Sequence, residues 1–236
     1  SVHMKLLAYL DLNSLFDSVN FQVPMMNFMD LSTLNATAST IRVGVFLCPT
    51  DGGISLTRTA PTSYRVNLGA CAACSDEYRG GFGPYGLTPI ASFTDGLSHT
   101  MMTSEKVVGT TAGRSTTRDW VKVHRTKATE ASEWVRICSN LPGTVAFEPH
   151  GGHTWMIGGG VNTDFHTATT PNSLTPDCGS KLFDLGFGVF GARSLHPFGV
   201  NVLLADGSVR RCASTIDPAV WRALGTRNGG EVFDSR

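Results

Sequence analysis

The chain lacks both a long apolar run and a cluster of basic residues. Its 236 residues include 19 Lys and Arg against 19 Asp and Glu, so the formal net charge is zero, and charged residues make up only 16% of the total. A membrane-spanning helix needs about 20 mainly apolar residues in succession, and nucleic acids and anionic lipids are bound through clustered cations. The sequence therefore predicts a soluble fragment that binds neither a bilayer nor nucleic acid.

Recognisable catalytic motifs are also lacking. There is no Gly-x-Ser-x-Gly elbow, which presents a serine nucleophile, and no His-Glu-x-x-His helix, which binds zinc. No Asp-x-Asp-x-Asp-Gly loop occurs, although Asp-Gly turns and loop carbonyls supply the oxygen ligands that calcium prefers. We therefore expect no enzymatic activity and keep calcium as a candidate ligand. The carboxylates that could contribute to a calcium site are Asp51, Asp95, Asp164, Asp177 and Asp206.

The chain does contain an even number of cysteines, together with 26 glycines and many threonines and serines. This composition is typical of a strand-and-turn protein that functions outside the cytoplasm, where cysteines form disulfides. Cys71-Ala-Ala-Cys74 could instead be a redox dithiol or half of a zinc site, but it does not begin a predicted helix, which favours structural disulfides. The candidate half-cystines are Cys48, Cys71, Cys74, Cys138, Cys178 and Cys212.

Apolar periodicity predicts helices near both ends of the chain and strands between them. Residues 4–19 fit one or two amphipathic helices. Asp217-Pro218 provides the cap and the first residue of a short closing helix. The clearest sheet element is a hairpin, in which residues 200–204 form a buried strand and Asp206-Gly207 adopts the positive φ values of a tight turn before the return strand.

Weaker patterns predict two irregular stretches and several short elements. Residues 109–133 are polar and of mixed charge, so we interpret them as an exposed excursion, and residues 162–181 have the composition of a loop rich in Thr, Pro and Asn. No internal repeat or linker divides the chain, and we assign residues 1–236 to one domain. The minor predicted elements are a helix within 35–43 and strands near 43–48, 100–108, 120–124 and 154–157.

Three short motifs, in order along the chain, carry a resemblance to a known family. They are Leu47-Cys48-Pro49-Thr50-Asp51, Thr94-Asp95-Gly96 with Glu105 following, and His196-x9-Asp206-Gly207 with a short helix and Gly229-Gly230-Glu231 after it. They resemble segments of a large planctomycete family with prepilin-type N-termini. That family is catalogued as a domain of unknown function and is also filed among bacterial extracellular solute-binding proteins. This chain departs from the family pattern at Phe198, where relatives carry Gly, and at Thr50, where they carry Ser.

The resemblance implies a fold and a function. The fold is expected to be α+β and pilin-like: a truncated N-terminal helix packed on an antiparallel β-sheet, with long Gly-rich loops and a short C-terminal helix. Relatives carry a long apolar helix before the point where this sequence begins. An exported pilin- or pseudopilin-like protein, extracellular, on the cell surface or in the periplasm, would use that helix to join a pilus or type II secretion-like assembly. The globular domain would serve assembly or display, and the alternative is an extracellular solute-binding module with glycans as the favoured solute.

Two groups of side chains are candidates for a binding site. His196 and Asp206 could form a metal site at a sheet edge, but the mostly apolar strand between them favours a purely structural hairpin. The second group lies among glycines, where imidazoles could hold zinc and aromatic rings could stack on sugars or simply pack. The candidate ligand-binding residues of the second group are His150, His153, Trp155, His166 and Tyr85.

Overall fold

Two β-sheets and five short α-helices make up the computed structural model, which describes residues 1–22, 35–52, 59–70, 79–83, 87–113, 115–123, 128–180 and 188–231. The helices are α1 (Val2–Leu6), α2 (Asn13–Ser18), α3 (Ala36–Thr40), α4 (Ala131–Ser139) and α5 (Pro218–Leu224). The strands are β1 (Tyr64–Asn67), β2 (Met101–Glu105), β3 (Trp120–Lys122), β4 (Asp164–Phe165), β5 (Asp177–Gly179), β6 (Gly188–Val189), β7 (Gly199–Leu204) and β8 (Val209–Ala213). The α+β class expected from the sequence is confirmed.

The larger sheet has the strand order β4-β1-β2-β7-β8. All its neighbouring strands are antiparallel except β1 and β4, which are parallel. The predicted hairpin is confirmed, since β7 and β8 pair from Gly199 with Ala213 to Leu203 with Val209. Gly207 has a φ of 85° in the turn, a value that glycine adopts without a steric penalty.

The closing helix covers the apolar side chains of the larger sheet. Asp217 caps α5 by accepting hydrogen bonds from the backbone N–H groups of Ala219 and Val220, and Pro218 occupies the first turn, as predicted. Trp221 is fully buried and packs in one cluster with the inward side chains of β2, β4 and β7. Burying a side chain of this size contributes roughly 2–3 kcal/mol, so α5 is a principal component of this core.

The N-terminal helices pack into a second apolar cluster. Leu7 and Leu15 lie there with Phe46 and Trp155. A helix of five residues, such as α1, is only about 7.5 Å long and cannot extend across a sheet. The N-terminal segment instead touches β1 at one point, where His3 Nε2 lies 2.9 Å from the carbonyl oxygen of Tyr64. No helix in the described part of the chain is both long and apolar enough to cross a membrane.

The smaller sheet has the order β3-β5-β6, with β3 parallel to β5. It builds a third core with α4, a helix that sequence periodicity missed, through buried Trp134 and Cys138. A disulfide joins Cys138 in α4 to Cys178 in β5. The stretch 109–133 was expected to be an exposed excursion, yet it contributes β3, in which Trp120 is buried.

Two of the predicted minor strands are wrong. Residues 44–46 form a 3-10 turn, and residues 154–157 contain only bends. The apolar side chains that prompted both predictions pack against each other, with the rings of Phe46 and Trp155 6.0 Å apart. Both segments contribute side chains to a core without pairing as strands. Apolar periodicity alone cannot distinguish such a segment from a short strand. The helix at α3 and the strands β2 and β3 are confirmed.

Candidate functional site

Three chemically reactive side chains from distant parts of the chain meet beside β2. His196 Nε2 lies 3.0 Å from Glu105 Oε1 and 3.3 Å from Cys48 Sγ. The three donor atoms all lie within 4.8 Å of one another, and no other group of three potential metal ligands is this close among the described residues. Cys48 and Glu105 are buried, whereas the side chain of His196 is 29% exposed. We call this set the Cys-Glu-His cluster.

Cys48 reaches the cluster from a pinned turn. The N–H of Asp51 donates to the carbonyl oxygen of Cys48 at 3.1 Å, and Pro49 suits the second position of such a turn. The Asp51 carboxylate then holds the turn in place, because it accepts hydrogen bonds from Ser63 Oγ and from the N–H of Val108. These hydrogen bonds fix the position of the turn and therefore of the Cys48 thiol.

Glu105 enters the cluster from the last position of β2. Its carboxylate accepts two hydrogen bonds from Asn201 of β7, from the backbone N–H at 2.8 Å and from the side-chain amide at 3.1 Å. These contacts fix the orientation of the carboxylate. Across the sheet, Glu105 pairs with Tyr64 of β1. Burial raises the pKa of Tyr64, and the negative charges of Cys48 and Glu105 raise it further.

His196 lies in the segment that leads into β7. Its N–H donates to Ser194 Oγ at 3.1 Å, and the N–H of Ser194 donates to Asn172 Oδ1 at 2.8 Å. Two residues later, Phe198 has a φ of 73°, in the left-handed region where a side chain is strained. The turn that precedes β7 thus sets the direction from which His196 reaches Glu105.

A small cleft opens at the cluster. Its walls are the Cys48 turn, the end of β2 and residues 193–195, and its enclosed space has room for about one water molecule. Pockets for drug-sized organic ligands usually measure about 300–1,000 Å³. The cleft therefore suits an ion or a small polar group better than a sugar ring.

A buried ion cluster lies against the same cleft. Asp177 contacts Lys106 Nζ at 3.0 Å and Arg193 Nη2 at 3.1 Å, and all three side chains are at most 3% exposed. Burial lowers the pKa of Lys106 to about 8. Burial alone would raise the pKa of Asp177, but Lys106 and Arg193 outweigh it and the pKa is lowered. Lys106 and Arg193 thus have a carboxylate of their own, separate from Glu105.

The histidines proposed from sequence do not form one group. His150 Nδ1 and His153 Nδ1 are 3.1 Å apart, and His153 Nε2 lies 3.1 Å from the carbonyl oxygen of Gly109. His166 is fully buried. Its Nδ1 accepts from the N–H of Phe190 at 3.4 Å, and burial lowers its pKa to about 4. His166 is therefore part of the core, while His150 and His153 form a pair in a loop.

Trp155, one of the two aromatic residues named as candidates for stacking on sugars, is not presented to solvent. Trp155 is fully buried, and its indole N–H donates to the carbonyl oxygen of Ile41 at 3.0 Å. Its ring is thus a packing anchor of the N-terminal cluster. Tyr85 lies outside the described residues.

The remaining carboxylates occupy separate places. Asp206 caps the β7–β8 turn through the N–H and hydroxyl of Ser208, and these hydrogen bonds lower its pKa to about 2. It stands beyond the far end of β7 from His196, so the proposed His196–Asp206 pair does not share a site. Asp95 accepts from the N–H groups of Gly229 and Gly230. These two carboxylates stabilise turns and chain ends.

The cysteines divide differently from the sequence prediction. Cys138 and Cys178 are bridged, whereas Cys48 and Cys212 are free and buried. The prediction of a disulfide is therefore wrong for Cys48, whose sulfur faces His196, and for Cys212, whose thiol pKa is raised by burial to about 11. Cys71 and Cys74 lie outside the described residues.

Sequence reasoning missed the combination of Cys48 and Glu105 with His196. The signal was present, because each of the three belongs to one of the three family-like motifs. The pairing of β2 with β7 brings Glu105 toward the segment that carries His196, and the Cys48 turn is held beside them through Asp51.

Comparison with known proteins gives one match. A family model described as a protein of unknown function (DUF1559), with the short name SBP_bac_10, matches residues 1–219. No curated protein matches the chain, and no solved structure matches it. The short name refers to bacterial solute binding, and the match includes all three residues of the Cys-Glu-His cluster.

Proposed function

We propose that this chain, which belongs to the family of proteins of unknown function DUF1559 (SBP_bac_10), is an extracytoplasmic, non-enzymatic binding module whose ligand site is the cleft at the Cys-Glu-His cluster. The observation that supports it most is the convergence of three separate motifs on one partly open cleft. Stability alone does not require a thiol, a carboxylate and an imidazole to meet there. Binding and catalytic residues are often carried on loops held by a rigid sheet.

The contacts of His196 favour binding over catalysis. In a nucleophilic triad, the imidazole contacts the nucleophile through one ring nitrogen and the orienting acid through the other. Here Cys48 and Glu105 both contact Nε2 of His196. This geometry gathers donor atoms around one point and does not build a proton relay. The proposal therefore assigns a bound solute and no reaction.

The size of the cleft limits the solute. Glycans were the favoured solute from sequence, but a cleft with room for about one water molecule admits an ion or a small polar group and no sugar ring. Trp155 and His166, two of the residues named for ligand binding, are both fully buried. We therefore place the binding site at residues 48, 105 and 196 instead.

A thermal-shift screen tests this function. Sugars, amino acids, small anions and divalent cations are each added to the wild type, to Glu105→Gln and to Glu130→Gln, an exposed glutamate that serves as the matched control. We expect at least one solute class to raise the melting temperature of the wild type and of Glu130→Gln, but not of Glu105→Gln. The proposal fails if no class raises it, or if Glu105→Gln responds like the wild type.

A second candidate function is assembly or display, and a surface feature favours it. The N-terminal helical segment exposes three large apolar side chains within five residues: Leu6 is 37% exposed, Tyr9 85% and Leu10 38%. Clustered exposed apolar groups are typical of interaction surfaces. The resemblance places this segment next to the helix through which pilin-like proteins assemble. We infer that a pilin-like role would use this surface.

The assembly role is tested by light scattering over a concentration series. The double variant Tyr9→Ser/Leu10→Ser should self-associate less than the wild type, because it removes apolar area from the contact. Leu87→Ser, at a leucine that is 99% exposed in another segment, is the control and should leave association unchanged. Equal association of all three proteins would contradict the role.

A further inference from the structure

We propose that the Cys-Glu-His cluster binds a divalent transition-metal ion directly, with zinc the best match, through Cys48 Sγ, Glu105 Oε1 and His196 Nε2. The inference rests on the proposed function, since it names the class of solute that the cleft takes. Thiolate, imidazole and carboxylate are the ligand types that zinc accepts. Softer thiolate and imidazole donors together disfavour calcium and magnesium, which prefer oxygen alone.

The distances between the donor atoms fit a metal centre. Zinc lies about 2.3 Å from sulfur and about 2.0–2.2 Å from nitrogen or oxygen, so the edges of a tetrahedral site measure roughly 3.4–3.6 Å. The observed separations are 3.3 Å from Sγ to Nε2 and 3.0 Å from Nε2 to Oε1. These two edges need to lengthen by only a few tenths of an ångström to admit the ion, and the third, from Sγ to Oε1, is at most 4.8 Å.

The charges of the proposed ligands suit a divalent cation. Metal binding requires a deprotonated cysteine and a neutral imidazole, so the occupied site would hold one thiolate and one carboxylate, whose two negative charges a divalent ion balances. The basic side chains that line or approach the cleft already contact other carboxylates: Lys106 and Arg193 contact Asp177, and Arg118 contacts Asp51. These cations are therefore committed to other carboxylates, which leaves the neutralisation of a metal-ligating Cys48 and Glu105 to the bound ion.

A second layer of contacts orients the ligands. Asn201 holds the Glu105 carboxylate through two hydrogen bonds, and Ser194 holds the backbone of His196. Outer contacts of this kind fix the ligands in metal sites and raise affinity. The Cys48 turn is pinned through Asp51. All three donors are thus preorganised.

The site keeps a position open to solvent. Three protein ligands leave one position of a tetrahedral zinc for water or for a small molecule, and the 29% exposure of the His196 side chain shows that the cluster reaches the surface. An ion held in this way fits a binding module that recognises a small anionic group. Arg193 forms part of the same wall.

Metal titration of chelator-stripped protein tests the inference. Zn²⁺ is titrated by calorimetry, and Co²⁺ is added as a spectroscopic probe, because a thiolate bound to Co²⁺ gives an ultraviolet charge-transfer band. We expect one bound ion per chain in the cleft and a band that Cys48→Ser abolishes. Glu105→Gln and His196→Asn should weaken Zn²⁺ binding roughly 10- to 100-fold or more, the range known for losing even an outer contact.

Matched controls separate this site from other cysteines and histidines. Cys212→Ser removes the other free buried thiol of the described residues, and His150→Asn removes one member of the loop histidine pair. Both should bind Zn²⁺ and Co²⁺ like the wild type. Zinc should also protect Cys48 of the wild type from alkylation, measured by peptide mass spectrometry, a test that needs no variant to fold.

Two results would overturn the inference. One is a charge-transfer band or Zn²⁺ affinity that Cys48→Ser leaves intact, and the other is equal alkylation of Cys48 with and without zinc. If an organic solute still stabilises the wild type but not Glu105→Gln, the proposed function stands while the metal inference falls. If neither metal nor any solute responds to Glu105→Gln, both fall.

Discussion

The Cys-Glu-His cluster and the ion cluster of Lys106, Asp177 and Arg193 lie side by side, and each contains a buried carboxylate in contact with a basic side chain. Glu105 and Lys106 are consecutive residues, and each side chain joins a different cluster. The ion cluster pairs its carboxylate with two cations inside the fold. The Cys-Glu-His cluster brings together three metal-ligand groups with a partly exposed imidazole.

The difference shows how a structural charge cluster can be told from a binding cluster. Buried ions that are retained for the fold are paired and hydrogen-bonded with each other, as Asp177 is with Arg193 and with the N–H of Gly191. Metal-ligand groups that converge beside an opening, with only a partly exposed imidazole opposite the carboxylate, suit a cation from outside. Each prediction below changes one side of this comparison.

The largest effect is expected in the ion cluster. Asp177→Asn removes the charge that two buried cations share, so the free energy of unfolding should fall by about 3–5 kcal/mol. Urea denaturation measures the loss. Glu105→Gln keeps an acceptor for Asn201 and should cost much less. Equal losses for both variants would mean that the two clusters have the same role.

A pH effect of intermediate size is expected from the core histidine His166. Burial lowers the pKa of His166 to about 4, against about 6.5 in the unfolded chain. The unfolded state therefore binds more protons between these values, and stability present above pH 6.5 is lost as the pH falls toward 4, by about 3 kcal/mol.

The His166→Asn variant tests this pH effect. It should flatten the dependence of the urea midpoint on pH between 6.5 and 4, because it removes the buried group that must take up a proton on unfolding. His99→Asn, at an exposed histidine, is the matched control. A slope that His166→Asn leaves unchanged would show that other groups control acid unfolding, with His3, whose pKa burial also lowers to about 4, as the next to test.

The smallest effect lies beside the cleft. Phe198 is 81% exposed and has a φ of 73°, so Phe198→Gly loses little packing and relieves backbone strain. We expect it to stabilise the protein by about 0.5–1 kcal/mol, measured by chemical denaturation. Phe198→Ala, which keeps the strained Cβ, is the control and should not stabilise. A loss of stability with Gly would mean that the ring makes a contact that matters.

Sequence reasoning succeeded where short-range chemistry determines structure. The Asp206-Gly207 turn and the Asp217-Pro218 cap specify the hairpin and α5 from a few neighbouring residues. It failed for α4, a short helix in which only Trp134 and Cys138 are fully buried, with Val135 and Ile137 partly buried beside them. It also predicted strands at two segments, because apolar residues that fill an irregular core look the same as those of a short strand.

The candidate site was beyond sequence reasoning for a different reason. His196 was singled out, but its partner was sought at Asp206 within the same motif, whereas its contacts are Cys48 and Glu105. Which residues face His196 depends on strand order and on the bulged register between β2 and β7. No spacing along the chain encodes that register, so the cluster became visible only in three dimensions.

The disulfide of the smaller sheet lies one residue along the chain from the ion cluster. Cys178 follows Asp177 directly in β5, and its bridge ties that strand to α4. A reducing environment would therefore release the strand that carries Asp177, the carboxylate that pairs with Lys106 and Arg193. We expect reduction of this bridge to disturb the cleft wall that Lys106 and Arg193 form, so that the domain holds its ligand best while the Cys138–Cys178 bridge is intact and Cys48 remains a free thiol.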